Sequence, residues 1–171
     1  ISPQEQALIE NANMPVKRFE LISPGVDMAE FETTLAKKEK NDADKLVLLA
    51  VSRLAPGKGL PEIVNAMPVI RKEIPQVKLI IIGEDFGERS KLENIVKKQG
   101  LQNSVEILGK VSRPELVAAY KKADILVHAS YYEAFGIVLA EALAAGVPVV
   151  ARNAGSAPYV VTDKSSGLLF K

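Results

Sequence analysis

Residues 133–151 read Glu-Ala-Phe-Gly-Ile-Val-Leu-Ala-Glu-Ala-Leu-Ala-Ala-Gly-Val-Pro-Val-Val-Ala, and this stretch decides the fold. The pattern predicts a loop, a helix over 136–145 and a strand over 148–151, with a Gly/Pro turn between the helix and the strand. From residue 135 onward the run is apolar except for Glu141. Because an unpaired buried carboxylate costs several kcal/mol or more, we expect Glu141 to have a hydrogen-bonding partner.

The same alternation of helix and strand extends to both sides of this stretch. Apolar runs predict strands over 46–51, 77–82, 105–108, 125–129, 148–151 and 167–170. Helical patterns occupy 2–13, 60–74, 90–99, 113–123, 136–145 and 158–161. Apolar strands separated by helices indicate a parallel sheet buried on both faces. The predicted fold class is therefore α/β, a doubly wound, Rossmann-like parallel sheet with helices on both faces, whose ligands lie beyond the carboxyl ends of the strands.

Composition excludes several classes of function. The chain has 171 residues, a formal net charge of +1, one histidine and no cysteine. The charge favours neither nucleic acid nor membrane, and the absence of cysteine excludes disulfides, thiolate metal sites and cysteine nucleophiles. With a single histidine as well, we expect no transition-metal site. No apolar run reaches the roughly 20 residues of a membrane-spanning helix.

The loop after the first predicted strand carries two cations. Arg53 and Lys58 bracket a Gly/Pro turn, so both can converge on one anion such as a diphosphate. An ordinary basic surface loop is the alternative. The loop lacks both the P-loop spacing and Gly-x-Gly-x-x-Gly, which argues against a Walker site and an ordinary dinucleotide site.

The loop before the helix over 136–145 offers a second anion site. Backbone N–H groups of Phe135, Gly136 and Ile137 lie at the predicted helix N-terminus, where orphan donors favour negative charge. Glu133 has an alternative role as an acid stabilised by the helix dipole. The alternative for Glu141 is a structural pair with a Lys or Arg from elsewhere in the fold.

Three further features have two interpretations each. His128 ends a strand near the expected site and is either a site contact or a core histidine. Glu84 and Asp85 are either magnesium ligands or ordinary residues of the loop after the second strand. The loop over 153–158 either wraps a ligand or forms a simple capped turn.

Taken together, these loops resemble the C-terminal, donor-binding domain of GT-B glycosyltransferases of the retaining GT4 type (glycosyl transferases group 1). Four segments carry the resemblance. They are Ile-Ser-Pro-Gly-Val-Asp at 22–27, Val-Ser-Arg-Leu-Ala-Pro-Gly-Lys-Gly at 51–59, the Glu-x7-Glu signature at 133–141 and Ala-Gly-Val-Pro-Val-Val at 145–150. One departure is Ser156, which replaces the second glycine of a Gly-Gly pair and leaves the contacts of that loop open.

The resemblance implies roles for particular residues. Arg53 and Lys58 would hold the donor diphosphate and stabilise the leaving nucleotide, and Glu133 would contact hydroxyls of the transferred sugar. These three are the implied catalytic residues. Backbone N–H groups of Phe135, Gly136 and Ile137 would contact phosphate or sugar. Glu141 would accept hydrogen bonds from the ribose hydroxyls, and Val111 would lie against the base.

The implied reaction is transfer of a hexosyl group from a nucleotide-diphosphate sugar to an acceptor with retention of configuration. No metal and no cofactor besides the donor is expected. Two alternatives stay open. One is a non-catalytic nucleotide-sugar-binding or structural module, and the other is half of a sugar-nucleotide epimerase.

The resemblance also implies a division of the chain. Residues 1–44 would be the tail of an N-terminal domain and an interdomain hinge, and 45–171 a nucleotide-sugar-binding domain truncated at its C-terminal end. The partners would be a nucleotide sugar and the missing N-terminal acceptor domain, with no nucleic acid. We expect the fragment alone to be inactive and cytoplasmic, with a peripheral contact at the inner membrane face if the acceptor is a lipid.

Overall fold

The computed structural model describes residues 3–12, 20, 22–31 and 46–171. Of residues 1–44, predicted to be the tail of an N-terminal domain and an interdomain hinge, only 3–12, 20 and 22–31 are among them. The division at residue 44 therefore stays a prediction.

Six parallel strands form one sheet. They are β1 (Val47–Val51), β2 (Lys78–Ile82), β3 (Val105–Gly109), β4 (Ile125–His128), β5 (Val149–Arg152) and β6 (Gly167–Phe170). The strand order is β3-β2-β1-β4-β5-β6, so β1 pairs with β2 on one side and with β4 on the other. This is the doubly wound order, and the predicted fold class is confirmed.

Six α-helices and one 3-10 turn complete the described part of the chain. The helices are α1 (Pro3–Asn11), α2 (Leu60–Glu73), α3 (Arg89–Lys98), α4 (Arg113–Lys122), α5 (Ile137–Ala144) and α6 (Ala157–Val160). The 3-10 turn covers Met28–Glu30, and Asp27 Oδ1 caps it by accepting from Ala29 N at 3.0 Å.

The boundaries of the two decisive elements differ slightly from the predicted ones. The helix begins at Ile137, because Gly136 is its N-cap in the left-handed region at φ 80°. The last strand of the decisive stretch begins at Val149, after a proline that has no N–H to offer the ladder. Ala129 falls outside β4, since its backbone already belongs to the loop that faces Gly59.

The sheet carries a hydrophobic core on each face, as alternation along β1 shows. Leu48 and Ala50 face the α2 and α3 side, whereas Leu49 and Val51 face the α4 and α5 side. Phe31, just after the 3-10 turn, is fully buried and packs edge-on against Tyr120 with ring centroids 6.1 Å apart. The segment over 22–31 is therefore joined to the α4 side of the sheet.

One stretch of the sheet beside α2 lies open. An apolar groove of about 410 Å³ runs between α2 and strands β1, β4, β5 and β6. Ala66 on α2 lines this groove and is exposed.

Candidate active site at the carboxyl ends of the strands

The order of the strands reverses direction between β1 and β4, and the loops that follow these two strands meet there. Tyr131 N donates to Gly57 O at 2.9 Å, which ties the loop after β4 to the loop after β1. Gly59 makes the close approach possible, because a Cβ at this residue would lie 2.1 Å from Ala129 O. In doubly wound sheets, the crevice at such a switch point is where ligands bind.

Lys58 and Glu133 join across this switch point. Lys58 Nζ lies 3.0 Å from Glu133 Oε2 and 3.4 Å from Ser130 Oγ. Both charged side chains are mostly buried, with 17% and 20% of their surface exposed. The structure thus brings together two of the three residues predicted as catalytic.

His128 lies beneath this pair at the end of β4. Its side chain is only 5% exposed, and Nε2 is 3.2 Å from Glu133 Oε2, although it lacks the geometry of a hydrogen bond. Burial raises the pKa of Glu133, and the contacts with His128 and Lys58 outweigh that effect, so the pKa lies below its ordinary value. Glu133 is therefore a carboxylate at neutral pH.

The backbone of Glu133 is held by the loop after β5. Ser156 is fully buried, and both its backbone N–H and its Oγ donate to Glu133 O, at 2.9 and 3.0 Å. Gly155 sits so close that a Cβ would lie 2.4 Å from Glu133 O. The serine that departs from the Gly-Gly pattern thus fixes the position of the acid.

The N-terminus of α5 adjoins this loop, with Gly136 as its N-cap. The first N–H groups of a helix lack a partner one turn back, although Leu139 N donates to Gly136 O at 2.9 Å. A Cβ on Gly136 would lie 3.2 Å from Glu133 Cγ, so the glutamate side chain packs against the N-cap. The predicted anion-binding backbone and the predicted sugar-binding acid are neighbours.

Glu141 has the partner that its burial requires. Its side chain is 9% exposed, Oε1 accepts from Arg113 Nη1, and Oε2 accepts from Tyr120 OH at 2.9 Å. Arg113 at the start of α4 is the basic residue from elsewhere in the fold that the structural alternative required. The structure therefore shows the structural pair, and the ribose role of Glu141 stays a prediction.

Arg53 and Val111 make contacts of their own, with residues other than Lys58 and Glu133. Arg53 is exposed, and its guanidinium carbon is 5.3 Å from the centroid of the Phe86 ring. Val111 is half-buried and packs against the core on the α4 side.

Glu84 and Asp85 have structural roles. Asp85 Oδ1 accepts from the backbone N–H groups of Gly87 and Arg89, at 2.9 and 3.1 Å, and so shapes the start of α3. Glu84 Oε2 lies 3.3 Å from Lys110 Nζ.

Within residues 3–12, 20, 22–31 and 46–171, no cluster of three or more His, Asp or Glu side chains is arranged to hold a metal ion. Across the same part of the chain, no helix is long and apolar enough to cross a membrane.

Sequence reasoning missed four residues that hold the candidate site together: Arg113, Tyr120, Ser130 and Ser156. Arg113 reaches Glu141 from 28 positions away, and Ser156 reaches Glu133 from 23 positions away. Tyr120 lies in a helical pattern that carries no sign of a hydrogen bond to an acid. The one available signal was the isolated carboxylate of Glu141, which required a partner without naming it.

A doubly wound domain with an acid, a lysine and a helix N-terminus at its switch point has the arrangement of α/β proteins that bind anionic ligands there. Comparison with known proteins identifies the family. The model of the family "Glycosyl transferases group 1" matches residues 31–171, and the chain belongs to this family. The predicted resemblance is confirmed.

Individual relatives agree with the family. The chain is 34% identical to an uncharacterised glycosyltransferase of Methanocaldococcus jannaschii, MJ1607, over 91% of this chain and 42% of that protein. Sucrose-phosphate synthase from Thermosynechococcus elongatus superposes with a TM-score of 0.82 at 32% identity, over 98% of this chain and 43% of that one.

A third relative was solved with ligands. Anabaena Alr3699/HepE in complex with UDP and glucose has a TM-score of 0.80 at 29% identity, over 99% of this chain and 48% of that one. These solved relatives are GT-B glycosyltransferases. The chain spans less than half the length of each of these three proteins.

Proposed function

We propose that this chain is the donor-binding half of a glycosyltransferase that moves a hexosyl group from a nucleotide-diphosphate sugar to an acceptor with retention of configuration. The observation that carries the proposal is the Lys58–Glu133 pair, 3.0 Å apart, at the switch point and beside the N-terminus of α5. Family membership and the UDP bound by the Anabaena relative support it.

The two charged groups suit the two halves of such a donor. The Lys58 ammonium would leave Glu133 for a diphosphate oxygen, since a phosphate carries more charge than one carboxylate. Arg53, exposed at the other end of the same loop, would swing in to the diphosphate. Backbone N–H groups of Phe135, Gly136 and Ile137 would add further donors without a side-chain entropy cost.

Glu133 would then accept hydrogen bonds from sugar hydroxyls. Its lowered pKa keeps it ionised, so it is an acceptor at neutral pH. Glu141 would accept from the ribose hydroxyls, and Val111 would lie against the base.

In the transfer step, the bond between the sugar anomeric carbon and the diphosphate oxygen breaks. The acceptor hydroxyl oxygen bonds to that carbon on the face from which the diphosphate departs, which retains the configuration, and its proton passes to the departing diphosphate oxygen. Negative charge grows on the leaving diphosphate. Lys58, Arg53 and the N-terminus of α5 would stabilise it, which is the work that a metal cation does in other transferases. The proposal therefore needs no metal and no further cofactor.

Calorimetry of this chain with UDP-, GDP- and ADP-sugars tests the proposal. The proposal is supported if one of these sugar nucleotides gives heat of binding with wild type and none with folded Lys58→Met and Glu133→Gln variants. A folded chain that binds none of the three sugar nucleotides contradicts the proposed site.

We expect no transfer by this chain alone, because the acceptor domain would lie in the part of the longer relatives that the chain does not span. A full-length parent that binds donor without transfer, or releases a free epimer, would favour a binding module or an epimerase.

A further inference from the structure

Glu141 accepts two hydrogen bonds from residues of α4, and neither residue has a role in the proposed donor site. Arg113 Nη1 donates to Oε1, and Tyr120 OH donates to Oε2 at 2.9 Å. Each carboxylate oxygen can accept two hydrogen bonds. Among the residues that the structure describes, one hydrogen bond reaches each oxygen, so one acceptor position on each is open.

Arg113 is itself held from its other side. Its Nε donates to Glu30 Oε2 at 3.0 Å, its Nη2 donates to the same oxygen, and its guanidinium carbon lies 5.7 Å from the centroid of the Phe31 ring. The hydrogen bond with Glu30 is the main reason that the pKa of Arg113 is raised, and the bond with Glu141 adds to it. With Nε and Nη2 committed to Glu30, Nη1 is the guanidinium nitrogen aimed at Glu141.

The Tyr120 hydroxyl is also held in position. The side chain is fully buried, its ring packs edge-on against Phe31, and burial raises the pKa of the phenol, so the hydroxyl keeps its proton and donates. Glu141 is thus clamped between a cation on one oxygen and a neutral donor on the other. A carboxylate held at both oxygens has one orientation.

We propose that Arg113 and Tyr120 are positioning residues that orient the Glu141 carboxylate for the ribose diol of the donor nucleotide. The inference rests on the proposed function, because it assigns ribose as the ligand of Glu141. Two vicinal hydroxyls need two acceptor positions at fixed spacing, and the clamp leaves one on each oxygen. Glu30 supports the clamp by fixing Arg113.

A purely structural role for Arg113 makes a different prediction. If Arg113 only neutralised a buried charge, its loss would weaken binding of every nucleotide equally, through general loosening of α5. If Arg113 instead blocked the ribose position, its loss would tighten binding. If Arg113 orients Glu141 for the ribose, its loss weakens binding only of nucleotides that carry the ribose hydroxyls.

The test compares UDP with 2′,3′-dideoxy-UDP by calorimetry on this chain, with the GDP and ADP pairs run in the same way. We expect Arg113→Gln to weaken binding of the ribose nucleotide about tenfold, and to leave the dideoxy nucleotide unchanged, since a hydrogen bond to a charged group is lost. Tyr120→Phe, which keeps the ring packing and the Arg113 pair, should weaken the ribose nucleotide about threefold. Arg71→Gln, far along α2 with its guanidinium on Gly100 O, is the matched control and should bind as wild type does.

Glu141→Gln distinguishes a failure of the ribose role of Glu141 from a failure of the positioning role alone. If Glu141→Gln and wild type show the same ratio of UDP to dideoxy-UDP affinity, the ribose role of Glu141 is wrong, and the positioning role fails with it. If the preference for UDP over dideoxy-UDP is lost in Glu141→Gln but kept in Arg113→Gln and Tyr120→Phe, only the positioning role is overturned. Equal weakening of both nucleotides, or tighter binding, in folded Arg113→Gln also overturns it. Should Arg113→Gln unfold, Tyr120→Phe decides the question.

Discussion

Lys58 Nζ and Glu133 Oε2 lie 3.0 Å apart, although 75 positions separate the two residues in the chain. The contact joins the loop after β1 to the loop after β4, on the two sides of the point where the sheet changes winding direction. Each residue neutralises the other in the absence of a ligand, so a donor that supplies a diphosphate and hydroxyls can replace both contacts together.

Lys58→Met should weaken nucleoside-diphosphate binding. A charge-assisted contact with phosphate is lost, and we expect a decrease of about tenfold in affinity. Calorimetry with UDP, GDP and ADP measures it. Lys91→Met is the matched control, because Lys91 lies on α3, pairs with Glu88 just before that helix, and is outside the site. Equal affinity in Lys58→Met and wild type would remove Lys58 from the diphosphate site.

Arg53→Ala should separate binding from stability. The side chain is exposed and stacks over Phe86, so we expect the free energy of unfolding to change by less than about 1 kcal/mol. Affinity for the diphosphate should still fall. Thermal melts and calorimetry on the same preparation measure both. An Arg53→Ala chain that melts and binds as wild type does would remove Arg53 from the diphosphate site.

The contribution of Glu133 to stability should depend on pH. Its pKa in the folded chain lies below the ordinary 4.5, so the unfolded state takes up a proton first as the pH falls. The stabilisation is therefore present above about pH 4.5 and is lost as the pH falls through the lower, folded-state pKa. We expect wild type to melt above Glu133→Gln at pH 7, and the gap between the two melting temperatures to shrink below pH 4.5. A gap that stays constant from pH 7 to pH 3 would contradict this, within the range where both proteins unfold reversibly.

Gly155→Ala should be more damaging than an ordinary glycine replacement. Gly155 has φ 58°, and the added Cβ would lie 2.4 Å from Glu133 O. We expect a loss of more than about 2 kcal/mol in the free energy of unfolding, from backbone strain and the clash together. Gly100→Ala is the matched control, with φ 64° and nothing within 4 Å of its Cβ, and should cost about 1 kcal/mol. Chemical denaturation measures both, and equal losses would show that the contact with Glu133 adds nothing.

The fold was predictable because each strand is a short apolar run bounded by polar or glycine residues. Such runs mark buried parallel strands, and their spacing by helices leaves little choice of architecture. Boundaries were less predictable, as Gly136 and Pro148 show. Both stand at the edge of an apolar run, and only backbone geometry decides whether such residues cap an element or belong to it.

The candidate site was predictable where it depends on strand ends. Lys58 and Glu133 follow neighbouring parallel strands, whose carboxyl ends meet at one edge of the sheet. The clamp on Glu141 was not predictable in the same way. Its donors lie on α4, 28 and 21 positions before it, and Glu30 stands 83 positions before Arg113. No local pattern encodes such pairings, because they arise from the packing of α4 against α5 and the 3-10 turn.

Because Arg113 donates to Glu30 as well as to Glu141, the 3-10 turn and α5 share one hydrogen-bond donor. Energetic linkage between two sites is reciprocal, so a change in the hydrogen bonding of Glu141 acts on Glu30 with the same free energy that Glu30 exerts on Glu141. The backbone amides of Ala29 to Phe31 should consequently report changes in the hydrogen bonding of Glu141 through Arg113. Their rate of hydrogen exchange reads out the state of a carboxylate that they never touch.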